Sequence, residues 1–351
     1  MPDSVTPKEN ARALTRYRQS LDAAYRYADE NEDQAIERYN ESLDSARKYA
    51  NRSNADSTWR AYKSDWRVFE TWCSSVGAAA LPASAETLCG FLATEADKGR
   101  ALSTLRRRVA AIRIMHIARD LPSPHQAFKV ALVLKGIAND QKNRKTRQAK
   151  PTLDNDLKRM VDALDLSRAK GIRDKALLLV GFDGAFRRSE LVMLTVEMLE
   201  TRPEGILVEL PFSKTDQTGD GQIIPILERP GSAYCPVAAL RSWLTHSECT
   251  EGVIFKRLHK GNSIGKTGLS AQSVALIVKE AVAAAKFDIK DYEQLFSGHS
   301  LRRGVMTESA RAGASVSDIM HLGRHRKADT AMQYVDKETA LDNHPAKSLL
   351  R

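Results

Sequence analysis

The chain has 351 residues, 42% of them apolar and 28% charged, which is long enough for two domains and excludes wholesale disorder and collagen-like repeats. No apolar run approaches the ~18 residues of a membrane span, and the first residues, MPDSVTPKEN, lack the apolar stretch of a secretory signal. The net charge is +10, and the excess is local: residues 57–150 carry 17 basic and 7 acidic side chains, against 9 and 10 in residues 1–55 and 28 and 26 in residues 151–351. That is the charge footprint of a nucleic-acid-binding module, although a solvated basic surface has the same composition. Cys73, Cys89, Cys235 and Cys249 form no CxxC pair, so the expectation is a reduced, intracellular protein without a disulfide framework or a cysteine-based metal site.

Residues 8–52 carry thin Ala/Tyr/Leu stripes at steps of three and four, which predicts a helical N-terminal arm over 1–55 with a partner face. A bundle of about four helices follows over 56–138. Trp59, Tyr62, Trp66, Phe69 and Cys73 mark the first helix, and Leu88, Phe91 and Leu92 mark the second, after the turn at Pro82–Ser84. The third carries Leu105, Val109, Ile112 and His116 with Ser103 as its expected N-cap, and the fourth runs over about 126–137. Residues 139–152 contain five Lys/Arg and no large apolar side chain, the composition of a basic linker.

The second domain, 153–336, is mostly helical by pattern, with stripes at 157–164, 174–182, 189–199, 237–244, 270–286 and 300–313. Gly205–Leu210 and the QIIPI stretch from Gln222 read as two strands joined by a hairpin that contains PFSKTDQTGDG. The fold class is therefore mainly α: a helical bundle, then an α-rich domain with a small antiparallel sheet.

Four local patterns can carry chemistry. GAFRRSEL places Arg187 and Arg188 where a turn enters a helix, and Lys214 lies in the hairpin. SGHSLRRG puts His299 and Arg302 three residues apart, on one helical face, where free N–H groups and both side chains can meet one phosphate. LGRHRKADTAMQY places His325 nine residues before Tyr334. Each pattern alone reads equally as a cap or a surface side chain.

Together, Arg187, Lys214, His299, Arg302, His325 and Tyr334 stand in the order R…K…HxxR…H…Y, and this resembles the tyrosine recombinase (phage integrase) family. GAFRRSEL is similar to its first arginine motif, SGHSLRRG to its HxxR box, and LGRHRKADTAMQYVD to its last box. STWRAYKSDWRVFETWC, VSDIMHLGRH and SGHS are most similar to the Cre-like branch. Position 325 departs from that branch, which has tryptophan there, and follows most of the family in being histidine; either ring can donate an N–H. The resemblance covers nearly the whole chain except residues 1–50.

The resemblance implies a SAM-like core-binding domain over 56–138 and a catalytic domain over 153–336, closing as a clamp on duplex DNA. It implies a site-specific recombinase that works through a covalent 3′-phosphotyrosyl intermediate and a Holliday junction. Its partner would be double-stranded DNA with inverted-repeat half-sites, bound as a dimer per site and a homotetramer joining two sites, in the cytoplasm at the nucleoid, with no membrane, cofactor or metal. Residues 337–351, with Leu341, Leu349 and Leu350, are a tail that would dock in trans on the next protomer or else fold back on its own domain.

The chemistry accounts for the residue set. Attack on a phosphodiester builds negative charge on the non-bridging oxygens, which two guanidiniums and a ring N–H can clamp; Arg187, Arg302 and His325 are the candidates. Tyr334 is the candidate nucleophile, Lys214 the general acid for the leaving 5′-oxygen and His299 the acceptor of the tyrosine proton. Glu190 is expected to orient Arg187, whereas Arg188 and Arg303, second in their pairs, are expected at the surface or on the DNA backbone. For DNA contact the candidates are Arg60 and Lys63, then Arg106, Arg107, Arg108 and Arg113 on one helix, and Lys142, Arg144, Lys145 and Arg147 in the linker. Gln272 stands where the resemblance puts a base-reading side chain. Two other readings share these features: a type IB topoisomerase that relaxes DNA, and a non-catalytic DNA-binding or architectural protein.

Overall fold

The computed structural model describes residues 41–42, 45, 56–143, 149–211, 221–259, 261, 263–287, 292–332 and 334. The chain divides into two compact units between Lys145 and Thr146. Apart from residues 41, 42 and 45, the expected arm lies outside the described residues, as do the linker residues Arg144, Lys145 and Arg147, the hairpin tip with Lys214, and the tail.

The first unit is a bundle of α1 (Asp56–Ser75), α2 (Ala85–Asp97), α3 (Leu102–Ile117) and α4 (Phe128–Asp140). The aromatic stripe of α1 turns inward: Trp66, Phe69 and Cys73 pack with Leu88, Phe91 and Leu92 of α2, Leu105 and Ile112 of α3, and Val130 of α4. Phe69 meets Phe91 edge to face with centroids 5.0 Å apart. Ser84 caps α2 by accepting the Thr87 N–H at 3.0 Å. Ser103 does not cap α3. The extended residue before that helix is Ala101, whose carbonyl takes the N–H groups of Thr104 and Leu105, so Ser103 already lies within the first turn. His116 is a core residue: it is fully buried, and its Nε2 accepts the Ala83 N–H at 2.9 Å.

The second unit is built on α6 (Ala169–Asp183), whose Ala176, Leu177, Leu178 and Val180 are fully buried. Against it lie α8 (Pro236–His246), which contributes the buried Leu240 and Trp243, and α10 (Ser300–Arg311). The remaining helices are α5 (Asp154–Asp162), α7 (Arg188–Met193), α9 (Ala271–Ala284), α11 (Val316–Gly323) and α12 (Ala328–Met332). Three strands, β1 (Leu199–Arg202), β2 (Gly205–Leu210) and β3 (Gln222–Leu227), form an antiparallel sheet in that order, with Gly205 opposite Leu227 and Leu210 opposite Gln222. Ile224 and Ile226 of β3 face the core while Ile223 and Pro225 face outward, and Pro225 is tolerated because β3 is an edge strand. A second hairpin joins β4 (Lys256–Leu258) to β5 (Ile264–Gly268).

The helix expected over 189–199 is shorter than its apolar spacing predicts. It stops at Met193 because the chain leaves it to pair with 252–254: the Leu194 carbonyl accepts the Ile254 N–H, the Gly252 carbonyl accepts the Val196 N–H, and β1 follows. At the other end of the unit, a Cβ on Gly304 of α10 would collide with the carbonyl oxygen of Thr152. Only glycine lets α10 lie flush against the segment that enters the domain, and this contact fixes the helix that carries Arg302.

Candidate active site

Three elements converge on one turn. Helix α6 ends at Asp183, Ala185 takes left-handed backbone (φ 47°), and the buried Phe186 anchors the entry to α7. Arg187 thereby occupies the N-cap of α7. Glu190, one turn on, reaches back: its Oε2 accepts the Arg187 N–H at 2.8 Å, and its Oε1 pairs with the Arg187 guanidinium. Burial by itself would raise the Glu190 carboxyl, but the Arg324 charge and the two Arg187 bonds outweigh it and hold the group below the usual carboxylate range.

Arg302, on the first turn of α10, is only 2% exposed. Its Nη1 donates to the Ala185 carbonyl at 2.6 Å, and its Nη2 donates to the Gly323 carbonyl and to His325 Nε2, the latter at 2.9 Å. Burial, then the neighbouring charges of Arg187 and Arg324, push its pKa down to about 10, which leaves it charged at neutral pH. The same causes act on His325, first burial and then Arg302, Arg187 and Arg324, and lower it to about 4. Because a guanidinium has no acceptor, Nε2 must accept, and the neutral ring carries its proton on Nδ1, which has no partner among the described residues.

Tyr334 follows α12, with its ring stacked on His325 and the Arg303 guanidinium 5.6 Å from the ring centroid. Arg303 is therefore half-buried beside Tyr334, whereas Arg188 is exposed. His299 sits at the N-cap of α10 and is exposed; partial loss of hydration and the charges of Arg302, Arg188, Arg187 and Arg303 hold its ring below the ordinary value, which favours the neutral form. Of the sequence-derived set, Arg187, Glu190, His299, Arg302, His325 and Tyr334 are thus brought together, and Lys214 lies outside the described residues. Among the described residues no group of His, Cys, Asp and Glu is arranged to hold a metal ion.

Sequence reasoning missed Arg324. Its guanidinium pairs with Glu190 at 2.8 Å and bonds the carbonyls of Gly184 and Ala185, each at 2.9 Å. The signal was a third arginine between Gly323 and His325, overlooked because residues flanking a motif read as surface. Two guanidiniums then pair with one carboxylate, the charge of a third, Arg302, lies close by, and the site is left cationic, suited to a phosphodiester.

The DNA-contact candidates separate by burial. Arg60 and Lys63 on α1, Arg106 and Arg113 on α3, and Lys142 are exposed, as is Gln272 in the first turn of α9. Arg107 holds Asp65 with two bonds, of 2.6 and 3.0 Å, yet stays half exposed. Arg108 differs from the expectation: it is 6% exposed and turned into the bundle, bound to Glu95 with Asp65 at 3.6 Å. Its position, on the α3 face occupied by Leu105 and Ile112, points it inward.

The sequence pattern of the phage integrase family matches residues 152–340, and that of the phage integrase N-terminal SAM-like domain matches residues 36–117. The chain is 38% identical over 288 residues to an integrase/recombinase XerD homolog of Selenomonas ruminantium, covering 82% of this chain and 83% of that one. It is 24% identical over 301 residues to the Cre recombinase of Escherichia phage P1, covering 81% and 86%. Among solved structures it resembles the Tn1549 transposon integrase in complex with transposon right-end DNA (TM-score 0.55, 15% identity, 85% of this chain and 96% of that chain). It also resembles a lambda integrase dimer bound to a core site (TM-score 0.55, 17% identity, 94% and 88%). With its arginine, HxxR and tyrosine boxes folded into one cationic site, the chain belongs to the phage integrase family, the tyrosine recombinases that cleave and rejoin DNA.

Proposed function

We propose that the protein recombines two specific duplex DNA sites through a covalent 3′-phosphotyrosyl intermediate and a Holliday junction, with a dimer on each pair of inverted-repeat half-sites and a tetramer at synapsis. The observation that carries this reading is the convergence of Arg187, Arg302 and His325 on the turn at Ala185, with the Tyr334 ring against His325. The Tyr334 oxygen attacks phosphorus, the bond to the 5′-oxygen breaks, and the protein is left joined to the 3′-phosphate. His299 takes the phenolic proton and Lys214 delivers one to the 5′-oxygen. Arg187 and Arg302 hold the non-bridging oxygens as their charge grows. Attack by a 5′-hydroxyl of the other site reverses the chemistry and exchanges strands, so no external energy source is needed.

The core-binding bundle supplies the remaining grip on DNA through Arg60, Lys63, Arg106, Arg107 and Arg113, with Lys142, Arg144, Lys145 and Arg147 following in the linker and Gln272 reading a base. The tail 337–351 docks on a neighbouring protomer, and the protein works inside the cell at the nucleoid. The test compares wild type with Tyr334→Phe on a nicked suicide duplex, then assays two-site recombination beside plasmid relaxation. Wild type should form a denaturant-resistant adduct and recombine. Relaxation without recombination would assign it to topoisomerase-like work, and no adduct from wild type would make it a DNA-binding protein only.

A further inference from the structure

Arg324 ends α11 with left-handed backbone, φ 51° and ψ 52°, a conformation that a Cβ makes costly and that glycine adopts freely. The other left-handed residue of the site, Ala185, stands opposite it, and the Arg324 side chain ties the two together. Nη1 donates to the Gly184 carbonyl at 2.9 Å and to that of Leu322 at 3.3 Å; Nη2 donates to the Ala185 carbonyl at 2.9 Å and to Glu190 Oε2 at 2.8 Å. The carbonyl of Arg324 in turn accepts from Arg187 Nη2 at 3.3 Å. Both partners of the Arg324–Glu190 pair are only 8% exposed.

These bonds place one buried cation behind both clamp arginines. Arg187 is held by Glu190, and Glu190 by Arg324. Arg302 is held by the Ala185 carbonyl, which Arg324 also holds. The Arg324 donors at Nη1 and Nη2 are spent on protein acceptors, and its Nε is buried, so none is aimed at a substrate. A simple helix terminator would be glycine, which fills the left-handed position without penalty.

We propose that Arg324 is a positioning residue for strand cleavage: it locks Glu190 and the Ala185 turn, and so sets the geometry with which Arg187 and Arg302 meet the scissile phosphate. The inference rests on the site reading above and adds to it a group that touches no substrate.

The test uses the full-length protein and a suicide duplex, measuring duplex binding, single-turnover cleavage and melting temperature for Arg324→Gly, Arg324→Lys, Glu190→Gln and the double variant Arg324→Gly/Glu190→Gln. Arg324→Gly should bind within a few-fold of wild type but cleave about 100-fold more slowly, the scale of misplacing a catalytic group by about 1 Å. Arg324→Lys, which keeps the charge but not the fork, should recover part of that rate. The double variant should be no slower than the slower single variant, because both act through one link. Arg324→Gly cleaving at the wild-type rate overturns the proposal, as does a double variant whose loss is the product of the two single losses. Should Arg324→Gly fail to fold, Arg324→Lys against Arg324→Gln decides: the lysine variant should cleave at least about ten-fold faster, and equal rates overturn the proposal. Tyr334→Phe is the control that separates the two levels: an adduct from it sinks the site reading, whereas an inert Tyr334→Phe beside a normal Arg324→Gly sinks only the role of Arg324.

Discussion

The imidazole of His325 lies nearly parallel to the phenol ring of Tyr334, with centroids 5.3 Å apart and 12° between the planes, while its Nε2 accepts a hydrogen bond from Arg302 at 2.9 Å. One ring thus joins the candidate nucleophile to a candidate clamp arginine, and it does so as neutral imidazole. A proton on Nε2 would break the bond to Arg302 and place a second cation against it.

That state has a pH signature. Burial and then Arg302, Arg187 and Arg324 lower His325 from 6.5 to about 4 in the folded protein. Between these values the unfolded chain binds a proton that the folded chain does not, so the contribution to stability is complete above about pH 6.5 and is lost as pH falls toward 4. Melting temperatures taken from pH 7.5 to 4.5 should fall more for wild type than for His325→Gln, which has no ring to titrate. His299, also lowered, acts equally in both proteins and drops out of the comparison. Parallel curves for the two proteins would remove His325 as the half-buried neutral group.

The part of the site that lies within single boxes was legible in the sequence. His299 and Arg302 share a helical face because of their spacing, and Glu190 reaches Arg187 because a turn of helix separates them. What the sequence hid was relations between boxes. Arg324 meets Glu190 across 134 positions, and nothing local to either residue announces that pair. The same holds for β1: the apolar spacing of 189–199 is helical, and the pairing partner that ends the helix lies at 252–254. The β4–β5 hairpin was missed for a different reason, since Lys256-Arg-Leu and Ile-Gly-Lys-Thr-Gly are too short and too polar to show a two-residue alternation.

Lys214 is tested by chemistry. Lys214→Ala should slow cleavage of an ordinary duplex, because the departing 5′-oxygen then lacks its proton. A substrate with a 5′-bridging sulfur, whose thiolate leaves without a proton, should restore the rate to near wild type. A variant that stays slow on the sulfur substrate would move the general-acid role to another group.

Gly304 should be intolerant of even one methyl group. A Cβ there meets the Thr152 carbonyl oxygen, and backbone opposes backbone, so neither side can rotate away. Thr152 is also fully buried and donates its N–H to the Ser300 carbonyl at 3.0 Å, beside His299. Gly304→Ala is expected to cost about 1–3 kcal/mol or more by overpacking, read as a lower denaturant midpoint. It should also slow cleavage, because α10 carries both His299 and Arg302; unchanged stability would mean that the segment at Thr152 yields freely.

The arginines of α3 provide the sharpest separation of folding from DNA contact, because Arg106 and Arg108 are two positions apart on one helix and differ in burial. Arg108 is bound to Glu95, and burial of that carboxylate, which alone would raise it, is outweighed by Arg108 and Lys98. Arg108→Ala leaves Glu95 buried with only the exposed Lys98 at 3.0 Å and Arg100 at 3.6 Å. Breaking a buried pair from one side costs about 3–5 kcal/mol, and these two residual partners place the expected loss at the lower end. Arg106→Ala touches no such pair and should leave stability within about 0.5 kcal/mol. On DNA the order reverses. With non-specific duplex DNA, the slope of log K against log salt should become shallower by about 1 for Arg106→Ala, one phosphate contact fewer, and stay at its wild-type value for Arg108→Ala under conditions where that variant is folded. A changed slope for Arg108→Ala would show that its guanidinium leaves Glu95 to reach phosphate, and an unchanged slope for Arg106→Ala would place the DNA on another face of the bundle.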